Sequence, residues 1–162
     1  MSVSEARFRH VLGHLAGGVA VVTSRDGDGA PCGLTATAVC SVSLDPPLVL
    51  VSVDQNSRTH RGIEGSRIYA VSLLSVEQEE LAARFAGKEP DKFRGLEIRQ
   101  EVTGAPILEG TLGFLDCTVV REVPAGDHTL FIGRVEEARI TGDEVGEPLV
   151  YHLGRYGTVV GE

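Results

Sequence analysis

The sequence has no tryptophan, one methionine and only 5% aromatic residues in 162 positions. That scarcity argues against an aromatic platform of the kind that stacks single-stranded nucleic acid. Positive charge is also short. Fifteen Lys and Arg face 23 Asp and Glu, a formal net charge of −8. An acidic chain lacks the basic face that nucleic acid or an anionic membrane surface requires, and neither is an expected partner. The three cysteines, Cys32, Cys40 and Cys117, cannot all pair within one chain, and no C-x-x-C occurs. A disulfide framework, a structural zinc site and a thioredoxin-type redox pair are therefore not indicated. No apolar run approaches the length of a membrane span. The opening residues lack the basic-then-apolar layout of a signal peptide, so a reducing, cytoplasmic setting is the expectation. The phosphate loop, the G-x-G-x-x-G fingerprint and the G-x-S-x-G elbow are all missing, which disfavours a Rossmann dehydrogenase or an α/β-hydrolase.

What is present suits one domain spanning residues 1–162, with 42% hydrophobic residues and 20 glycines spread without a period. Phe8, Val11, Leu12 and Leu15 recur at helical spacing, and Gly17-Gly18 ends that pattern. Val19 to Thr23 reads as a buried strand. Gly33 to Ser43 reads as a single second strand after the Asp26-Gly27-Asp28-Gly29 turn. Asp45-Pro46-Pro47 is expected to break the pairing, because proline donates nothing to a ladder. Leu48 to Val53 is the clearest strand, and Ile68 to Leu74 is another. Between them, 56–64 is polar with room for a short helix. Ser75 and Gln78 form a capping box for a helix through Phe85, stopped by Gly87. Leu112 to Val120 and His128 to Ile140 are long strands joined by Pro124-Ala125-Gly126-Asp127, and Leu149 to His152 is a last short one. About six strands with two or three helices, joined too tightly for parallel crossovers, predict a mainly β fold. Its expected form is an antiparallel barrel with peripheral helices.

Three polar clusters stand out from this scaffold. Thr35, Ala36, Thr37 and Ala38, followed by Ser41, Val42 and Ser43, are small enough to let a flat ligand approach the backbone, although Thr and Ser also simply populate strands. Asn56, Ser57, Arg58 and Thr59 sit where a helix begins. Unpaired amides and a cation there suit an anion, while a plain N-cap needs only one of them. Phe85, Ala86, Gly87 and Lys88 close a helix, where Lys88 is also a favourable C-terminal charge. His10 and His14 lie one helical turn apart without the intervening Glu of a metalloprotease, so no metal site is expected.

Taken in order, these segments resemble the flavin reductase domain family, the small reductase components of two-component flavin-dependent monooxygenases. The marks are Ala16-Gly17-Gly18-Val19-Ala20-Val21-Val22-Thr23, Gly33-Leu34-Thr35-Ala36-Thr37-Ala38 and Ser41-Val42-Ser43-Leu44-Asp45-Pro46-Pro47-Leu48-Val49. They continue in Ser57-Arg58-Thr59, Gln78-Glu79-Glu80-Leu81-Ala82, Arg84-Phe85-Ala86-Gly87-Lys88 and Pro124-Ala125-Gly126-Asp127-His128-Thr129. The resemblance implies an FMN-binding split β-barrel working as a homodimer. It implies FMN or FAD as flavin, NADH or NADPH as hydride donor, and a partner monooxygenase that receives the reduced flavin by diffusion. Carried over by position, Thr35, Ala36, Thr37, Ala38, Ser41, Val42 and Ser43 would line the isoalloxazine. Asn56, Ser57, Arg58 and Thr59 would hold ribityl and phosphate. Phe85, Ala86, Gly87 and Lys88 would close the site, and His128 would lie near the nicotinamide, placing it rather than relaying a proton. Where the family often has Ser, this chain has Ala38, which leaves only a backbone contact there. The alternative reading is an FMN-binding split-barrel electron carrier without nicotinamide turnover.

Overall fold

Strict alternation builds the centre of the fold. In β5 (Pro47–Asp54), Val49, Val51 and Val53 are buried while the residues between them are not. The computed structural model describes residues 3–141 and 146–159. Its main sheet has seven strands, all paired antiparallel: β2 (Ala20–Arg25), β3 (Pro31–Ala36), β4 (Val39–Leu44), β5, β6 (Ile68–Leu73), β9 (Gly113–Ala125) and β10 (His128–Ile140). Their order is β3-β2-β6-β9-β10-β5-β4. The edge strands β3 and β4 are consecutive in the chain. In the link between them, Ala38 O accepts from Ser52 N of β5 at 3.1 Å. The sheet therefore curls until its two edges meet, as a barrel requires.

Inside the curl lie Val22, Val51, Ile63, Tyr69, Val71 and Phe131, all fully buried. Tyr69 Oη donates to Val49 O at 3.0 Å, which satisfies the one polar atom of that side chain. Gly133, beside a register shift in β10, makes room for it, because a Cβ there would stand 2.5 Å from Tyr69 Oη. β2 is buried on both faces. Ala20 and Val22 face the barrel interior, and Val19 and Val21 pack with Ala82 and Phe85 of α3 (Glu79–Ala86) in a second core. That double burial is why this stretch reads as continuous rather than alternating apolar sequence. α2 (Arg58–Ser66) covers one end of the barrel through Ile63. Two smaller sheets complete the molecule. One holds β1 (Gly17–Gly18), β11 (Val150–His152) and β12 (Arg155–Gly157), and the other β7 (Ile98–Arg99) and β8 (Ile107–Leu108). No helix among the described residues is long and apolar enough to cross a membrane.

Several elements differ from expectation. The single strand 33–43 is two strands, since the chain leaves one sheet edge after Ala36 and re-enters at the other with Val39. Asp45-Pro46 does not break pairing. It is the tight turn of the β4–β5 hairpin, with a cis Asp45–Pro46 peptide and Leu44 opposite Pro47. Pro47 starts an element where its missing donor is tolerated. Pro124 and Ala125 belong to β9 rather than to the turn, which narrows to Gly126-Asp127, with Gly126 at φ +66°. The helix after Ser75 opens with one 3-10 turn (Val76–Gln78), and Ser75 N–H donates to Gln78 Oε1 at 2.9 Å. The first helix, α1 (Glu5–Leu12), begins earlier than its apolar stripe because Ser4 caps it, with Arg7 N–H donating to Ser4 Oγ. None of its residues is buried, and Phe8, Val11, Leu12 and Leu15 are 49–72% exposed. The stripe has the expected spacing but faces outward.

Candidate active site

The sequence at 54–60 folds into a turn that aims the start of α2 along the rim of a groove. Asp54 organises this turn: its carboxylate accepts from Asn56 N at 2.8 Å, and its carbonyl accepts from Ser57 N at 3.0 Å and Ser57 Oγ at 2.8 Å. Ser57 is the N-cap of α2, taking His60 N–H at 3.0 Å. The amides of Arg58 and Thr59 lie in the first turn, where a helix has no acceptor of its own for them.

Across the groove, α3 ends at Phe85 and Ala86, and the chain turns through Gly87 and Lys88. Thr35 of β3 forms part of the floor, its hydroxyl donating to Ala82 O at 2.6 Å. The groove has a volume of about 740 Å³. Its walls include Leu34, Phe85 and Phe93, and its cations are Arg58, Lys88 and Lys92. That volume lies within the range of small-molecule and cofactor sites. A flat aromatic ligand with a phosphate tail fits such a donor set, with apolar walls for the ring and a helix start plus cations for the anion. Packing under the floor is tight, since a Cβ on Gly33 would stand 2.9 Å from Phe85 Cε1.

Of the residues singled out in the sequence, the groove gathers Thr35, Asn56, Ser57, Arg58, Thr59, Phe85, Ala86, Gly87 and Lys88. Ala36 is buried at the end of β3, and Thr37 and Ala38 are exposed in the link beyond it. Ser41, Val42 and Ser43 lie on edge strand β4, which follows that link on the other side of the sheet, and do not line the groove of a single chain. His128 opens β10 directly opposite Asp54 in register, one strand from the rim. Its Nδ1 lies 2.7 Å from Asp127 Oδ1, and this hydrogen bond holds the Asp127 carboxyl below its ordinary range. Gln55 ties the two rims together, its N–H donating to Asp127 O and its side-chain amide to His128 O.

Three contributors escaped the sequence reading. Lys92 is the more enclosed lysine, donating to Phe85 O at 2.7 Å and Gly33 O at 3.3 Å, and burial lowers its ammonium from the usual lysine range. Phe93 meets Phe85 edge to face at 5.0 Å. Asp26 binds Arg58 from behind, with Oδ2 accepting from Nε at 3.1 Å and Nη2 at 2.5 Å. The pair lowers the Asp26 carboxyl and raises the Arg58 guanidinium. The only signal of these three in the sequence is the Asp-Gly pattern of the hairpin turn, which accounts for Asp26 locally and says nothing of a partner 32 residues on. Cys40 is exposed, and Cys32 and Cys117 are buried and unpaired. No group of three or more His, Cys, Asp or Glu among the described residues is placed to hold a metal ion.

Residues 12–159 match the family model described as flavin reductase like domain. An NADH-dependent flavin reductase from Rhodococcus sp is 42% identical over 158 residues, covering 95% of this chain and 86% of its own. The reductase subunit of a flavin-dependent monooxygenase from Rhodococcus jostii is 37% identical over 155 residues, covering 96% and 78%. An NADH:FAD oxidoreductase of Streptomyces globisporus, solved in complex with NAD and FAD fragments, superposes with a TM-score of 0.88 at 33% identity, covering 97% of this chain and 93% of that one.

Proposed function

This chain belongs to the flavin reductase like domain family, and from that membership we propose a function for the groove: it receives flavin and nicotinamide together. The protein is an NADH-dependent flavin reductase, and the reduced flavin it makes serves a flavin-dependent monooxygenase. The observation that carries the reading is the meeting of the α2 start, the Thr35 floor and the α3 end around one groove large enough for a flavin.

Hydride transfer from nicotinamide to flavin needs no strong protein acid or base, because the two cofactors carry the chemistry. What falls to the chain is binding, orientation and electrostatics. Arg58, with the amides of Arg58 and Thr59 and with Lys88, holds the flavin phosphate, of FMN or of FAD. Phe85, Ala86 and Gly87 close over the ring, and Thr35 on the groove floor meets its polar edge, with the small residues Ala36, Thr37 and Ala38 following it away from the floor. His128, fixed by Asp127, places the nicotinamide of NADH or NADPH. The gain in rate comes from holding two reactants in a productive orientation.

The working unit is a homodimer. Ser41, Val42 and Ser43 reach a flavin site only if it is completed across a subunit boundary. The exposed stripe of Phe8, Val11, Leu12 and Leu15 supplies apolar surface of the kind that such a boundary buries. A domain of this size leaves no room for separate flavin and nicotinamide domains. Three unpaired thiols suit a reducing cytoplasm.

The experiment is NADH oxidation with and without added FMN or FAD. Oxidation that rises with flavin supports the reductase. A flavin-loaded protein that leaves both NADH and NADPH untouched supports the electron carrier instead. Light scattering tests the dimer, which a monomer that still reduces flavin would overturn.

A further inference from the structure

Arg58 reaches the groove with one edge of its guanidinium already taken. Asp26 Oδ2 accepts from both Nε and Nη2, at 3.1 and 2.5 Å, and among the described residues Nη1 has no hydrogen-bond partner. Asp26 is itself fixed: its Oδ1 accepts from Asp28 N at 3.1 Å and Ala30 N at 2.9 Å in the β2–β3 turn. The pair is therefore a tethered cation held at the groove rim, with Asp26 only 19% and Arg58 48% exposed. A guanidinium so engaged offers an incoming phosphate a single free edge, and a carboxylate stands directly behind it.

We propose that Asp26 is a specificity-determining residue that biases the flavin site against FMN and toward FAD; the inference rests on the reading of Arg58 as a phosphate ligand. The two flavins differ in charge density. A phosphate monoester carries about −1.5 to −2 at pH 7 on one phosphorus. A dinucleotide spreads its charge over two phosphorus centres, one of which meets Arg58. Repulsion by a fixed carboxylate, and its partial neutralisation of Arg58, weigh more heavily on the monoester. Asp26 does not line the groove, so it acts through Arg58 and is a positioning residue rather than a catalytic one.

The substitution Asp26→Asn removes the charge and keeps the Oδ1 acceptor, and Asn suits such a turn as well as Asp does. Dissociation constants for FMN, FAD and riboflavin are measured on the full chain and on D26N. The expected result is an FMN affinity raised about three- to tenfold relative to FAD, the scale of one charge removed from behind a half-exposed guanidinium. Riboflavin, which has no phosphate, is expected to move less than about twofold. An FMN-to-FAD ratio that stays the same or falls, or a riboflavin affinity that shifts as much as that of FMN, overturns the proposal. The companion variant Arg58→Gln tests the phosphate ligand apart from the carboxylate behind it. If R58Q binds FMN as tightly as the unaltered chain, the reading of Arg58 as phosphate ligand fails. If R58Q loses FMN but D26N leaves the ratio alone, only the role of Asp26 fails.

Discussion

Lys92 Nζ donates to Phe85 O at 2.7 Å and to Gly33 O at 3.3 Å, joining the end of α3, the edge strand β3 and the loop beyond Gly87 at one side of the groove. A charged donor bonded to carbonyls contributes more than a neutral one. Lys92→Met keeps most of the side-chain volume and removes both bonds. It is expected to lower stability by about 1–2 kcal/mol in denaturant titration. Flavin binding is expected to weaken, because the loop carrying Lys88 loses its anchor. A variant with unchanged stability and unchanged flavin affinity contradicts this role.

The buried thiols predict the alkaline limit of the fold. Burial raises Cys32 from the ordinary 9.0 to about 11 and Cys117 to about 12, and it also pushes the Tyr69 phenol up. Above about pH 9 the unfolded chain has released protons that the folded one keeps, so stability falls as pH rises through that window. Melting temperature followed from neutral pH upward should decline from about pH 9. In Cys117→Ala the decline should be shallower. A thiol reagent at neutral pH should modify exposed Cys40 and reach Cys32 and Cys117 only on unfolding.

His128 sits one strand from the groove rim and is held by Asp127. His128→Ala is expected to raise KM for NADH and to lower kcat/KM by about tenfold or more, as loss of a positioning group does. Riboflavin affinity is expected to be nearly unchanged. If both the NADH dependence and the reduction rate survive the substitution, His128 does not place the nicotinamide.

Gly133 tests the barrel interior. An added Cβ would meet Tyr69 Oη at 2.5 Å and Cζ at 2.7 Å, with no flexible end to move aside. Gly133→Ala is expected to cost about 1–3 kcal/mol, the usual range for forcing extra volume into a packed core. Gly65→Ala, within α2 and with nothing inside 4 Å, is the control and should be neutral to slightly stabilising, since alanine is the better helix former.

Local pattern carried much of the fold. Val49, Val51 and Val53 announce β5 by alternation, Ser57 and Ser75 mark helix starts, and Gly87 marks a helix end, because each acts within a few residues of itself. The break after Ala36 was hidden. Thr35 to Ser43 is uniformly small and strand-forming, and the curl of the sheet, set by distant pairings, decides where one edge strand ends and the next begins. Asp45-Pro46 reads as a break because proline's missing donor matters inside a ladder, yet it is harmless in the hairpin turn it occupies. In the site, residues contiguous in sequence were legible: Asn56 to Thr59 and Phe85 to Lys88 do meet across the groove. Asp26 and Lys92 were not, since their partners, Arg58 and the carbonyls of Phe85 and Gly33, are chosen by tertiary approach. Ser41 to Ser43 read as one small polar cluster with Thr35 to Ala38, but the same curl puts them on the opposite edge strand, outside the groove of a single chain.

Hydride transfer between nicotinamide and flavin is the reaction proposed for this groove. The most direct measurement is anaerobic rapid mixing of the protein and flavin with NADH deuterated at the transferred position, watching the flavin's visible absorbance bleach. Bleaching is expected to require the protein, to slow on deuteration, and to be lost together with phosphate-bearing flavin affinity in Arg58→Gln. Bleaching no faster than in protein-free solution, or bleaching in R58Q equal to that of the unaltered chain with FMN, would contradict it.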